Sequence, residues 1–548
     1  MTALRLKIGG RFESRATGYW VTFVCVLAAC ALFGCSNGPN VNEAHYLGKA
    51  LHYWNPSWCE DDFFFNSSDA HLVFYWVFGW VPAIVGLETA SITGRLIAWV
   101  LLSVSWLSLC RALSLDGIRT IIAALLWFGL VRWCHLSGEW IVGGIEAKGL
   151  SLPFAIWGAA AVVKGQWGRA YILLGVSTSL HVLVGGWTFM MAGMTQCFLA
   201  RKELLTVKNV KWLACGVALA LPGLVPALLL NNTASNVDVA LANDIYVFKR
   251  LPHHLVFSNF DTFRVSCGAG LLLGWMGWFI WRNRARANDS CWKRWDYLVF
   301  GSILFAAIGL VFSAVMAPSQ SGAGVLRYYW FRSFDVFVPA VLATGFASLP
   351  RLKGSLQLAI VVGICTFMGL EQRERWRDGR SLAAQQSMPQ SLRKDPEARR
   401  KVTFRIWRDW VLACRWIKEN TPDDIVVLTP RRQQTFKWHA HRSEVVNWKD
   451  IPQDANGLLE WNRRMESVYT EPVIHKGFEA NAKHVRWCAK TYPFDYVVAT
   501  HFVPTGDLGW ERVYPGSETS PRASSSFYVV YKVNRDSMSG DAVEGSSE

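Results

Sequence analysis

Apolar runs of membrane-spanning length recur from about Tyr19 to about Leu370 and then stop, while everything after Glu371 reads as soluble chain. A bilayer offers no partner to an exposed peptide group, so such runs must cross as helices that satisfy their own backbone. The boundary between a membrane region and a soluble region therefore falls near Glu371. The formal net charge of +15 does not point to nucleic acid, because Lys and Arg cluster in short connectors between apolar runs instead of along one face or in a reading motif.

The first span covers residues 19–35, and the basic flank before it puts the N-terminus in the cytoplasm. The same flank, followed by Leu27-Ala28-Ala29-Cys30, also resembles a bacterial lipoprotein signal. Further spans are expected at 91–110, 120–136, 150–163, 170–180, 181–199, 212–230, 265–281, 297–317, 336–349 and 356–370, about eleven in all. The apolar run 71–87 holds Gly79 and Pro82 and is followed by barely a turn of polar chain, so it is expected to lie along the outer surface. Counting it as a crossing would turn the Arg-rich connector 282–294 outward, against the positive-inside bias. The hairpin 170–199 is short for two spans, and its Gly185-Gly186 pair beside His181 suits close helix packing.

An odd number of spans places the soluble region outside, with the polar loop that follows the first span. Residues 371–403 read as a linker or helix extension, 404–535 as a domain of alternating helices and strands, and 536–548 as a disordered tail. The expected fold class is an α-helical polytopic membrane protein with about eleven transmembrane helices, followed by a small α/β soluble domain. Its membrane domain is expected to cover residues 1–370, with an outward loop at 36–90. Most of the 13 Cys sit in apolar runs as small hydrophobes without metal-ligand spacing. A Cys414–Cys488 bridge could form in an oxidising compartment.

The outward loops gather Glu43, His45, Asp61, Asp62 and His71 from the first; Glu139, Glu146 and Lys148 from the second; Lys249, Arg250, His253 and His254 from the third; and Arg327 and Arg332 from the fourth. Acids and bases on one side of a membrane suit transfer of a group from a phosphate. A carboxylate can take a proton from an attacking hydroxyl while cations hold the departing phosphate. Glu43, at the end of the first span, is the expected base and should be solvent-accessible. Asp61, Asp62 and Glu146 are candidates to bind acceptor or to seat a hard divalent cation, Mg²⁺ or Mn²⁺. Lys148, Arg327, Arg332, His253 and His254 are candidates for phosphate. The basic, Gln-rich segment 431–437 reads as a solvated surface, with binding of an acidic glycan as the alternative.

These stretches resemble the GT-C superfamily of integral membrane glycosyltransferases. Asn42-Glu43-Ala44-His45-Tyr46-Leu47 looks like its acidic signature after the first span, although many members carry Asp-Glu where this chain has Asn42-Glu43. Residues 58–65 and 71–75 look like its juxtamembrane helices, and Gly144-Ile145-Glu146-Ala147-Lys148-Gly149 like its second acidic site. The segments 416–422 and 429–436 are similar to extracytoplasmic domains appended to bacterial members. The resemblance implies a polyprenyl-phosphate-linked sugar as donor, a glycan, lipid or protein acceptor, inverting transfer, and a bacterial inner membrane location with the C-terminal domain extracytoplasmic. A transporter or flippase, and a membrane-anchored binding protein, are the competing classes. The former would want charges at mid-bilayer, and the latter has no need of so many spans.

Overall fold

The computed structural model describes residues 2–36, 38–40, 42–285, 289–349, 354–377, 396–470, 482–500, 510–516 and 526–534. The expected tail 536–548 and residues 378–395 of the expected linker lie outside them. Each expected span is a helix: Thr2–Gly34, Leu87–Ala112, Gly117–Cys134, Ala147–Val163, Trp167–Leu180, Val182–Leu199, Val207–Leu229, Thr262–Ala285, Ser290–Met316, Arg332–Ala347 and Gly354–Arg377. Among the described residues, seven helices are long and apolar enough to cross a bilayer, and the chain is an integral membrane protein. Ala147–Val163 is shorter and buried almost throughout. Its Gly158-Ala159-Ala160-Ala161 run lets Leu87–Ala112 and Trp167–Leu180 pack against it, so protein covers it where lipid would cover a peripheral span.

The hairpin at His181 closes through Gly185, where a Cβ would stand 2.0 Å from the Thr178 amide nitrogen. The His181 ring caps the second helix by accepting from the Val184 N–H at 3.3 Å. The run 71–87 forms two helices, Leu72–Phe78 and Trp80–Val85, of seven and six residues. At 1.5 Å per residue each is about 10 Å long, a third of a bilayer core. Trp76, Trp80 and Ile84 are exposed along them, an apolar face suited to the membrane surface.

Beyond the bundle, a five-stranded sheet has the order β2-β1-β3-β5-β4, with β1 Val426–Leu428, β2 Ser443–Glu444, β3 Tyr496–Thr500, β4 Glu511–Tyr514 and β5 Tyr528–Lys532. β1 runs parallel to β2 and β3, and β5 antiparallel to β3 and β4. β1, β3 and β5 match apolar runs of the sequence; β2 lies at the start of the short run Val445-Val446, and β4 is a half-exposed edge whose alternation is too weak to read. Helix Pro396–Asn420 covers one face with Ile406, Trp410 and Ile417. Helices Ala455–Val468 and Ala482–Thr491 cover the other. That second core continues without a break into Tyr246, Leu251 and Leu326 of the connections between the bundle helices, which seats the sheet layer on the bundle. Cys414 and Cys488 belong to the cores on opposite faces, and both are free thiols, so the suggested bridge is absent.

Candidate active site between the bundle and the sheet layer

The two acidic stretches interlock. Glu43 opens the helix Glu43–Trp54 and is 1% exposed, contrary to the expectation of an accessible base. Its carboxylate accepts from Arg95 Nε at 2.6 Å, Asn40 N at 2.6 Å, Ile145 N at 2.9 Å and Ser91 Oγ at 3.3 Å, with a second, shorter bond from Arg95 Nη2. Gly144 permits this approach, since a Cβ there would lie 2.5 Å from the Glu43 carboxyl carbon. The neighbouring Asn42 donates its side-chain amide to Glu146 at 2.6 Å. Glu43 is thus a saturated lock between the segments 36–43 and 144–146 and has no lone pair to spare for a substrate proton.

Beside this lock stands a group that can meet an anion. Glu139 is buried and paired with Lys148 and with Arg332, the latter at 2.6 Å. Although burial pushes its pKa up, these two cations hold Glu139 down to about 2. Lys148 also lies 3.8 Å over the Trp140 ring, and Arg332 4.2 Å over Tyr329. The loop that carries Glu139 is clamped by Asp335, which accepts from Leu136 N at 2.6 Å and from Ser137 N and Oγ at 2.9 Å. Below these charges runs an apolar slot between Leu183, Val184, Trp187, Val336 and Phe337. Its free space is about 20 Å³, roughly one water, so a lipid tail would lie along the two helices or part them.

The sheet layer closes the site from the other side. Arg250 donates to the Trp448 carbonyl at 3.0 Å, and Lys449 lies within electrostatic reach of Arg250, Glu146, Asp450 and Lys148. The Lys449 ammonium makes no ion pair or hydrogen bond among the described residues. Burial, reinforced by Arg250, lowers its pKa to about 8. Burial likewise raises Glu146 above the ordinary carboxylate value, with Lys148 and the Asn42 bond opposing. Lys449, Arg250, Lys148 and Arg332 outnumber Glu139 and Glu146 at this junction, so its net charge is positive and complementary to an anion.

A second charged knot ties the layers together. Lys437 is 3% exposed and its ammonium bonds Asp450 at 2.7 Å, Asp62 at 3.1 Å and Glu444 at 3.1 Å. Segment 431–437 is therefore not the solvated surface its composition suggested; Gln433, Gln434, Thr435 and Lys437 are all buried. Burial works against the Lys437 charge, yet Asp450, Asp62 and Glu444 push its pKa well above the lysine value. Burial raises Glu444 to about 7, while Lys437 and His45 hold Asp450 below the ordinary carboxylate range despite its burial.

The other expected site residues lie elsewhere. Asp61 is exposed and lines a surface recess with Arg464, and Asp62 is consumed by Lys437, Phe65 N at 2.9 Å and Glu444 N at 3.2 Å. Arg327 is held by Asn243 and reaches the Gln453 carbonyl at 3.5 Å, sharing no partner with Lys148 or Arg332. His254 donates to the Ser137 carbonyl, and burial with His253 alongside lowers it to about 3, so it is neutral and a poor phosphate ligand. His253 faces a separate recess with Arg132, His135 and Arg264. Nor do the acids fit a divalent cation. Among the described residues no group of three His, Cys, Asp or Glu is arranged to hold one, and the centre of the acid cluster at Asp62, Glu444 and Asp450 is filled by the Lys437 ammonium. Lys437, Lys449 and Asp450 were not singled out from sequence; only the coincidence of Lys with acids hundreds of residues away marks them.

A domain of unknown function (DUF6798) matches residues 408–468, the segment that supplies Lys437, Glu444, Lys449 and Asp450. No curated protein matches the sequence. Two solved structures from Archaeoglobus fulgidus are among those that resemble this chain. An oligosaccharyltransferase in complex with Zn and sulfate is 13% identical, covering 88% of this chain and 68% of that one, with a TM-score of 0.39. The oligosaccharyltransferase AglB in complex with an inhibitory peptide and a dolichol-phosphate is 10% identical, covering 88% of this chain and 69% of that one, with a TM-score of 0.37.

Proposed function

We propose that the protein is a membrane glycosyltransferase of GT-C type, taking a sugar from a polyprenyl-phosphate donor to an acceptor on the outer side of the membrane. The observation that carries this reading is the grouping of cations at the junction, which we take to line an anion-binding chamber. Lys148 and Arg332 converge on Glu139 at the edge of the apolar bundle, and Lys449, whose ammonium has no partner among the described residues, lies within electrostatic reach of Lys148. A lipid-linked phosphate has this dual character, an apolar tail in the bilayer and a charge at its surface. A sugar bonded to that phosphate through its anomeric carbon already carries its leaving group. The protein then has to orient the acceptor, take up its proton and stabilise charge on the departing phosphate. Lys148 and Arg332 each keep N–H donors beyond those spent on Glu139. Lys449 has all of its own available.

Lys449→Met tests the reading, because the ammonium makes no ion pair or hydrogen bond among the described residues and Met keeps the apolar stem. With a panel of polyprenyl-phosphate-linked hexoses and pentoses, purified wild type is expected to transfer at least one sugar. The variant should be about 10- to 100-fold slower, the worth of one hydrogen bond to a charged group. No transfer by wild type from any donor, or equal transfer by the variant, contradicts the assignment.

A further inference from the structure

His45 and Asp450 are 405 residues apart in sequence, yet His45 Nδ1 and Asp450 Oδ1 are 2.9 Å apart across the junction of bundle and sheet layer. Asp450 is fixed from behind. Its other oxygen accepts from Lys437 Nζ at 2.7 Å and from the Asn447 amide at 2.9 Å, and its own N–H donates to Asn447 at 2.9 Å. An ionised carboxylate can only accept, so Nδ1 carries the proton and the lone pair lies on Nε2. That nitrogen has no partner among the described residues, and the side chain is 14% exposed. The ring is held by Phe64, with centroids 4.3 Å apart. A base whose far nitrogen is oriented by a third group is the arrangement that prepares an imidazole for proton abstraction. Glu43, saturated by five donors, cannot do this work.

We propose that His45 is the catalytic base of the transfer and takes the proton of an acceptor hydroxyl, with Asp450 as its positioning residue; this rests on the glycosyltransferase reading. As the acceptor oxygen bonds to the anomeric carbon, its proton passes to His45 Nε2. The bond from that carbon to the phosphate oxygen breaks, and its electron pair leaves on the phosphate beside Lys148, Arg332 and Lys449. The imidazolium so formed is stabilised by Asp450 and later gives its proton to water. The charged and titratable groups facing the ring are Asp450 and Lys449 from the sheet layer, Lys437 from the short helix Phe436–Ala440, and His71 from the first loop, with Tyr46 next to it on its own helix. Burial lowers the pKa of His45 below 6.5, with Asp450 opposing, so the ring is neutral and competent at pH 7.

The test uses full-length protein in detergent and needs no sugar for its first arm. Diethyl pyrocarbonate, which reacts with neutral imidazole, should modify His45 faster than the hydrogen-bonded His71, as mapped by mass spectrometry. Sugar-free polyprenyl phosphate should protect it. In the second arm, His45→Gln keeps an amide to donate to Asp450 but has no base. It should bind polyprenyl phosphate as wild type does and transfer sugar about 10²- to 10⁴-fold more slowly. Asp450→Asn should move the pH dependence of His45 modification downward, because the carboxylate that favours the charged ring is gone. An unmodified His45, modification that polyprenyl phosphate does not slow, or His45→Gln transfer within about threefold of wild type overturns the proposal. Those results leave the glycosyltransferase reading intact so long as wild type binds the lipid phosphate. Failure of wild type to bind it overturns both.

Discussion

Lys437→Met should cost about 3–5 kcal/mol of stability at pH 8, because it leaves Asp62, Glu444 and Asp450 buried without their cation. Met matches the length of the lysine stem but offers the three acids nothing. Some of the loss should be recovered at pH 5. Glu444, already raised to about 7 with Lys437 opposing, would rise further without that charge and be protonated, which relieves the repulsion. The measurement is thermal unfolding of the purified protein at both pH values, with limited proteolysis following the junction. The cluster joins the loop that carries Asp62 to the sheet layer, so cleavage near residues 58–69 should quicken before the bundle opens. A variant as stable as wild type at pH 8 would mean the acids find other partners, and the junction described above would be wrong.

Glu43→Gln should act on folding and not on chemistry. One carboxylate oxygen becomes an NH2 group facing N–H donors, whichever way the amide turns, since Nε of Arg95 and Ile145 N approach one oxygen and Asn40 N and Ser91 the other. Arg95 then keeps only neutral acceptors, the carbonyls of Ser36 at 3.1 Å and Gly38 at 2.8 Å. Removing one member of a buried pair typically costs about 3–5 kcal/mol. The variant is expected to unfold at markedly lower temperature, while the protein that remains folded turns over at close to the wild-type rate. Wild-type stability with turnover reduced 100-fold or more would restore Glu43 as the base.

The contrast between these residues and their sequence context shows where local reading stops. The helices were legible because a bilayer forces apolar length, and β1, β3 and β5 because buried Val-rich runs carry their own signal. The two acidic stretches were recognisable as a pair of motifs, and they do meet, through Ile145 on Glu43 and Asn42 on Glu146. The state of their carboxylates was not legible. Glu43 borders a polar loop and so reads as solvated; its burial depends on Arg95, fifty-two residues on and inside an apolar helix. Lys437 sits among Arg and Gln and reads as surface, yet three acids from two regions of the chain enclose it. Lys449 and Asp450 belong to an irregular stretch with no periodicity, so only the distant groups they meet, Arg250, Glu146 and Lys148 for Lys449 and His45 for Asp450, distinguish them.

The central claim, that the chamber receives a lipid-linked phosphate, is tested most directly by photo-crosslinking with a polyprenyl phosphate that bears its reactive group beside the phosphate. Saturable labelling of peptides spanning 139–149 and 446–450, competed by unmodified polyprenyl phosphate and weakened in Lys449→Met, is the result expected. Labelling confined to the outer faces of the bundle, or labelling that unmodified lipid does not compete, would contradict it.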